Sequence, residues 1–99
     1  MLKSDFIQTL INRLSEKYPS LTDTAIKESV NAIIEKIKLT LLEKGRMEIR
    51  GFGTLALKYY AEREARDPRT GKKVHMSARY RLYFRPAKKL KLRLNAKPY

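Results

Sequence analysis

The sequence has no cysteine and a single histidine, His75, in 99 residues. Without thiols the chain cannot form a disulfide or a thiolate metal site, and one imidazole leaves little from which to build a zinc site. It also has no carboxylate cluster at metal-ligand spacing, no serine or cysteine nucleophile beside a base, and no phosphate-binding loop. We therefore predict a protein that is not an enzyme and that needs no metal or cofactor.

Long apolar runs are absent as well. No stretch approaches the length of a membrane span, and residues 1–5 lack the apolar segment of a signal peptide. No helical pattern combines a basic face with Trp or Phe at its apolar boundary, as an anchor on a membrane surface does. We therefore expect a soluble, cytoplasmic protein whose partner is not a membrane.

Acidic residues are scarce in the second half of the chain. Residues 1–45 hold seven Lys or Arg against six Asp or Glu, whereas residues 46–99 hold sixteen against four, so the second half carries nearly all of the net charge of +13. A polyanion is the natural partner of such a segment, and counterion release should make the binding strongly dependent on salt. The length indicates one domain with a thin core.

Two amphipathic helices are predicted in the first 45 residues. Ser4 is a good N-cap for the first helix, whose apolar stripe runs over residues 6–14 and which ends near Tyr18. The second helix follows a cap at Thr22 and is stopped by Gly45. Its apolar stripe is wide for a helix with one short partner, which predicts a dimer. The alternative is that a sheet of the same chain covers the stripe.

From Arg46 the apolar period changes to two, which is typical of strands. Residues 46–50, 54–60 and 79–85 predict three antiparallel strands with one apolar and one basic face, and residues 51–53 (GFG) predict a turn or a bulge. Pro86 suits the first position of a short third helix, and a tail begins at Asn95.

Residues 58–81 contain no Leu, Ile or Phe, so this segment cannot form a core of its own. Asp67 before Pro68 biases the backbone away from helix, and Gly71 supplies the left-handed position that a tight reversal needs. We predict a protruding basic β-ribbon, called the arm below, with Pro68 at its tip. A lone hairpin is marginally stable in water, so we expect the arm to become ordered on its partner. A permanently disordered loop is the alternative.

Three motifs follow the predicted helices in order: GFG at 51–53, RDPRTG at 66–71 and FRP at 84–86. Together they closely resemble the bacterial histone-like DNA-binding family, which includes HU and integration host factor, and the resemblance extends from residue 3 to about residue 95. Within that family, Glu48 and Arg50 make the segment before GFG look most like the beta type of integration host factor.

The resemblance implies an α+β fold and an intertwined dimer. Residues 1–45 are then a helical dimerisation base, residues 46–85 form a three-stranded antiparallel sheet and the arm, at about 58–81, and residues 86–95 form a short C-terminal helix. The dimer partner is an alpha-type subunit or a second copy of the chain. The implied ligand of the dimer is double-stranded DNA.

The resemblance also implies roles for individual residues. Two arms reach around the DNA in its minor groove, where Pro68 is a wedge between base pairs. Arg50 enters the minor groove, and Glu48 orients it. The implied DNA-binding residues are Arg46, Glu48, Arg50, Lys58, Arg63, Arg66, Pro68, Arg69, Lys72, Lys73, Arg79, Arg81, Arg85 and Lys88.

Two positions depart from the pattern of the family. Asp67 stands where an Asn is usual, and its carboxylate either pairs with Arg66 or Arg69 or weakens the insertion of the wedge. Ala87 stands where a Gly is usual, which should favour helix.

The predicted function is that of an architectural protein that bends DNA with some sequence preference, in nucleoid organisation, recombination, replication and transcription. An HU-like homodimer with little sequence preference is the alternative within the family. An RNA-binding or ribosome-associated protein is the alternative from another class, although such proteins usually display aromatic residues for base stacking. Tyr59 and Tyr60 are the adjacent candidates for such stacking here.

Overall fold

The first helix begins earlier than its best capping residue. In the computed structural model, which describes residues 1–96, helix α1 spans Lys3–Lys17 and its N-cap is Leu2, so the predicted cap at Ser4 is wrong. The reason is Asp5, whose Oδ2 accepts a hydrogen bond of 2.9 Å from the Leu2 N–H and places a carboxylate at the positive end of the helix.

Helix α2 spans Asp23–Lys44, and both of its predicted ends are confirmed. The Thr22 hydroxyl accepts a hydrogen bond of 3.1 Å from the Ala25 N–H. At the other end Gly45 has φ +72°, and its N–H donates to the Leu41 carbonyl at 2.9 Å. A left-handed glycine of this kind satisfies a carbonyl of the last turn and ends the helix.

The chain divides into two units, of which the first is Met1–Leu39 and the second begins at Thr40. The first unit holds the buried apolar side chains of the described residues, which are Ile7, Ile26 and Val30. Two residues of the apolar stripe of α2 stay largely exposed, Ile33 at 61% and Leu42 at 78% accessibility. No helix within residues 1–96 is long and apolar enough to span a membrane.

The second unit contains an antiparallel sheet of three strands in the order β1-β2-β5, where β1 is Arg46–Ile49, β2 is Gly53–Tyr60 and β5 is Arg79–Pro86. The predicted α+β class and the three strands are thereby confirmed. Strand β5 includes Pro86, which was predicted to start the last helix, and this part of the prediction is wrong. An edge strand tolerates a proline at its end, and here Pro86 lies opposite Gly53.

Helix α3 spans Lys88–Asn95, with Ala87 as its N-cap in an extended conformation. The Ala87 N–H donates to the Phe52 carbonyl at 2.9 Å, which ties the start of α3 to the β1–β2 turn. The predicted tail lies mostly in residues 97–99, outside the described residues.

The arm is a second ladder rather than a continuation of the sheet. Strands β3 (Arg63–Arg66) and β4 (Lys73–Met76) pair antiparallel, from Arg63 opposite Met76 to Arg66 opposite Lys73. Residues 61–62 and 77–78 interrupt the pairing on both strands, and the register is the same on either side of the interruption. Ala and Glu, which fill most of these positions, are depleted in strands. The predicted hairpin is confirmed, but with a break at its root.

Candidate nucleic-acid interface

The register of the sheet decides which side chains share a face, because residues opposite each other in a ladder point to the same side. One face is apolar, with Leu55 opposite Phe84 and Leu57 opposite Leu82. The other face brings together six of the predicted DNA-binding residues from all three strands: Arg46, Glu48, Lys58, Arg79, Arg81 and Arg85. We call this side of the sheet the basic face.

The apolar face is incompletely covered within one chain. Leu82 is 55% accessible and Phe84 is 43% accessible, although the Phe84 ring contacts the Phe52 ring at a centroid distance of 5.0 Å. Large apolar side chains that lie together and stay exposed are typical of a surface that another chain covers. The predicted dimer is consistent with this exposure.

The tip of the arm is a turn fixed by several hydrogen bonds. The Asp67 N–H donates to the Lys72 carbonyl at 2.8 Å, and the Gly71 N–H donates to the Asp67 carbonyl at 2.7 Å. Asp67 Oδ1 also accepts from the Arg69 N–H at 2.8 Å, which makes an Asx turn over Pro68. Gly71 has φ +71°, as predicted. These hydrogen bonds therefore hold Pro68 in an exposed position at the tip of the arm.

Asp67 does not use its carboxylate as the sequence suggested. No ion pair joins it to Arg66 or Arg69 among residues 1–96, and the contact with the Arg69 backbone takes the place of such a pair. The negative charge at the tip is thus left without a cationic partner in the described part of the chain.

The predicted cations of the arm do not all share one face. Arg66 lies opposite Lys73, whereas Arg63 lies opposite Met76, on the other side of the ladder. Arg69 and Lys72 belong to the exposed turn. On the side of Arg66, His75 Nε2 lies 3.2 Å from Glu62 Oε1, so His75 has a specific contact that the sequence did not indicate.

A groove of about 810 Å³ lies at the end of the sheet, between the β1–β2 turn and the first turn of α3. Arg50, Glu48 and Lys88 line it, so the structure brings these predicted residues together. Glu48 and Arg50 form no ion pair with each other in the described chain. Lys91 also lines the groove. Its spacing of three residues from Lys88 could have indicated this position.

Gly53 also lines this groove. A Cβ atom at Gly53 would lie 2.6 Å from the Arg85 carbonyl oxygen and 2.6 Å from the Phe84 ring, so no larger residue fits without a shift of β5. The neighbouring Gly51 has φ +81°, and the Phe52 N–H donates to the Ile49 carbonyl at 2.9 Å. The GFG segment is therefore a tight turn whose shape positions Arg50.

The basic face also contains two tyrosines that the sequence did not single out as site residues. The hydroxyls of Tyr60 and Tyr83 form a hydrogen bond with each other. Lys58 Nζ lies 5.6 Å from the Tyr60 ring centroid, and the guanidinium carbons of Arg79 and Arg81 each lie 5.9 Å from it. Contacts of this kind are cation–π interactions. Because Tyr60 follows Lys58 by two positions, alternation alone could have placed it on the basic face.

The hydrogen bond shifts the pKa values of the two tyrosines in opposite directions. It lowers the pKa of Tyr60. Burial opposes this change, and the positive charges of Lys58, Arg81 and Arg79 each lower the pKa further. The same hydrogen bond raises the pKa of Tyr83, and burial adds to that change. Either of the two hydroxyls can be the donor of this hydrogen bond.

No group of three or more His, Cys, Asp or Glu residues within residues 1–96 is placed to hold a metal ion. The basic face and the tip of the arm offer cations, hydroxyls and an exposed proline, a set suited to binding a polyanion.

Comparison with known proteins supports the same conclusion. The sequence profile described as "Bacterial DNA-binding protein" matches residues 1–95. Integration host factor subunit beta of Edwardsiella ictaluri is 41% identical over 86 residues, which cover 87% of this chain and 92% of that protein. The same subunit of Hahella chejuensis is 38% identical over 96 residues, which cover 97% of this chain and 94% of that protein.

A solved structure has the same fold. The Anabaena HU–DNA cocrystal structure matches with a TM-score of 0.74 and 20% identity. The match covers 98% of this chain and 100% of that chain. The resemblance predicted from the GFG, RDPRTG and FRP motifs is confirmed. The chain belongs to the bacterial DNA-binding protein family, whose members act as dimers on double-stranded DNA.

Proposed function

We propose that this chain is an architectural, nucleoid-associated protein of the bacterial cytoplasm that bends duplex DNA from the minor groove and prefers certain sequences, as integration host factor does. The observation that carries the proposal is the arm tip, where a turn with several backbone hydrogen bonds holds an exposed Pro68 between basic residues. The proposal includes no catalytic step.

The physics of a wedge supports this role for Pro68. An apolar side chain pushed between two base pairs unstacks that step at a cost of a few kcal/mol and kinks the duplex. The cost is offset when the bent DNA meets additional protein surface. The basic face, with Arg46 and Arg85 near one end and Lys58 and Arg81 nearer the arm, is a surface of the required charge.

We expect Pro68→Ala to reduce the bend while most of the affinity remains, because the phosphate contacts of the neighbouring cations do not depend on the proline ring. The measurement is fluorescence resonance energy transfer between dyes at the two ends of a duplex. Pro19→Ala, which makes the same chemical change in the connection between the first two helices, is the control. An unchanged bend angle in Pro68→Ala would contradict the wedge.

Sequence preference is supported by the groove that Arg50, Glu48 and Lys88 line. A guanidinium that enters a narrow minor groove responds to groove width, and so to the sequence, without reading base edges. In this proposal Arg50 is the reading residue and Glu48 limits its orientation. Lys88 and Lys91, on one face of α3, contact the phosphates that border the groove.

We expect Arg50→Ala to lower the ratio of specific to random duplex affinity by about tenfold, the effect of losing roughly 1–3 kcal/mol of discrimination. Lys91→Ala is the matched control, because it removes another cation from the same groove. The measurement is competition of a preferred duplex by random DNA and by RNA of equal length. Equal losses for both DNAs would make Arg50 a phosphate contact and would favour an HU-like protein with little sequence preference. A clear preference for RNA would reject the proposal as a whole.

A further inference from the structure

The root of the arm carries a concentration of positive charge that nothing in the described chain neutralises. Lys58, Arg79 and Arg81 lie on the basic face, at the last pairs before the ladder is interrupted, and none of them forms an ion pair within residues 1–96. Like charges at this separation repel each other, so the cluster favours an anion from outside.

Tyr60 is the centre of this cluster. All three cations lie within 6 Å of its ring centroid, at 5.6 to 5.9 Å, and Lys58 is also 5.8 Å from the Tyr83 ring. The attraction of the cations to the aromatic rings offsets part of their mutual repulsion and holds them around one point. Because cations already occupy the surroundings of the Tyr60 ring, a nucleic-acid base has little access to its faces.

The hydroxyl pair gives the cluster a hydrogen-bond donor. When the Tyr83 hydroxyl donates to the Tyr60 oxygen, the O–H of Tyr60 is free to donate to another group. A hydroxyl that accepts one hydrogen bond becomes a stronger donor in the next, and adjacent positive charges strengthen it further. A phosphate oxygen is the acceptor that matches both a strong donor and three cations.

We propose that Tyr60 and Tyr83, with Lys58, Arg79 and Arg81, form a binding site for a single backbone phosphate of the DNA at the root of the arm. In this site Tyr60 donates a hydrogen bond to the phosphate and Tyr83 is a positioning residue that orients Tyr60. The inference rests on the proposed function, since it assigns one contact to the DNA that the protein bends.

Tyr60→Phe is the test, because it removes the hydroxyl and keeps the ring on which the cations lie. We expect a loss of duplex affinity of about threefold to tenfold, the range that corresponds to the typical net contribution of one hydrogen bond. Tyr83→Phe should give a smaller loss. Tyr59→Phe is the matched control, because Tyr59 is the neighbouring residue on the opposite face, where its ring packs against Tyr80 at 5.2 Å.

Phosphate substitution separates this contact from a structural effect. Methylphosphonates are placed one at a time along a duplex that the wild-type protein bends, and affinity is measured for the wild type and for Tyr60→Phe. At one position per arm, neutralising the phosphate should weaken the wild type more than it weakens Tyr60→Phe. Equal weakening of both proteins at every position would overturn the inference.

The pH dependence gives an independent readout. A phosphate beside Tyr60 disfavours its phenolate, so bound DNA raises the pKa of Tyr60, and by linkage the loss of that proton weakens binding. Because the pKa of free Tyr60 lies below the ordinary value of about 10, wild-type affinity should decline at a lower pH than the affinity of Tyr60→Phe. Identical alkaline profiles would count against the site.

The outcomes also separate this inference from the proposed function. If the wild type bends DNA, but Tyr60→Phe binds it as well as Tyr59→Phe does, the phosphate site is rejected and the architectural function remains. If the wild type does not bind duplex DNA, the proposed function is rejected together with the site.

Discussion

At the scale of single residues, Asp67 has two opposed effects. Its Oδ1 accepts the Arg69 N–H and so fixes the turn that presents Pro68. Its negative charge, which has no ion-pair partner in the described chain, lies where DNA phosphates approach the tip. The first effect favours insertion of the wedge and the second opposes binding.

Asp67→Asn separates the two effects, because the amide keeps an oxygen acceptor and loses the charge. We expect affinity for duplex DNA to rise about threefold at low salt, and the gain to shrink as salt screens the removed repulsion. Fluorescence anisotropy over a series of salt concentrations measures both. Asp67→Ala is the control, since it removes the charge and the cap together. Weaker binding by Asp67→Asn than by the wild type would show that the charge does not oppose binding.

At the scale of elements, the β1–β2 turn both stabilises the sheet and positions the residues that line the groove. Gly51 provides the positive φ of the turn, and Gly53 allows β2 to approach the Arg85 carbonyl and the Phe84 ring. The Phe52 carbonyl in the same turn accepts the N–H of Ala87, which precedes α3. Arg50 and Lys88 therefore come together because one turn touches two strands and a helix.

We expect Gly53→Ala to lower the free energy of unfolding by about 1–3 kcal/mol, since a Cβ at 2.6 Å from a backbone oxygen forces β5 to move. Urea denaturation at equal chain concentration gives the value. Gly45→Ala is the control, because its Cβ would meet no atom within 4 Å and only the positive φ would oppose it. We expect that control to lose about 1 kcal/mol. A Gly53→Ala protein as stable as the wild type would contradict the close approach.

At the scale of the whole molecule, the described chain buries few apolar side chains and leaves many exposed. The exposed ones include Ile33 at 61% and Leu42 at 78% on α2, and Leu82 at 55% on the sheet. Chains that lack a sufficient core of their own are usually stabilised by association. The dimer of the family supplies that association, and stability is then inseparable from chain concentration.

We expect Ile33→Asp to prevent dimer formation, because it places a charge at the centre of the exposed stripe of α2. Sedimentation equilibrium should give the mass of two chains for the wild type and 11.6 kDa or aggregation for the variant. Ala32→Asp is the control, since it introduces the same charge about 100° around the helix from Ile33. If the wild type reaches the mass of a dimer only after an alpha-type subunit is added, its working form is a heterodimer. A dimeric Ile33→Asp would exclude this face as the interface.

Much of the fold was predictable because local patterns specify it. The change of apolar period at Arg46, the caps at Thr22 and Gly45, and the left-handed Gly71 each depend on residues within a few positions of one another. The three motifs GFG, RDPRTG and FRP were sufficient to identify the family. The errors also have local causes: Asp5 displaced Ser4 as the determinant of the start of α1, and β5 extended through Pro86 because an edge strand tolerates proline there.

By itself the sequence determined the charge asymmetry, the type of each element and the position of Pro68 in the turn, since these follow from composition, period and backbone restriction. Only the tertiary structure decided that Arg66 lies opposite Lys73 in the arm, that Lys91 joins Arg50 in one groove, and that Tyr60 meets Tyr83 among three cations. The alternation of side chains along a strand specifies the face of the sheet on which each residue lies. The partner across the ladder depends on the register, which is set by contacts between residues far apart in the chain.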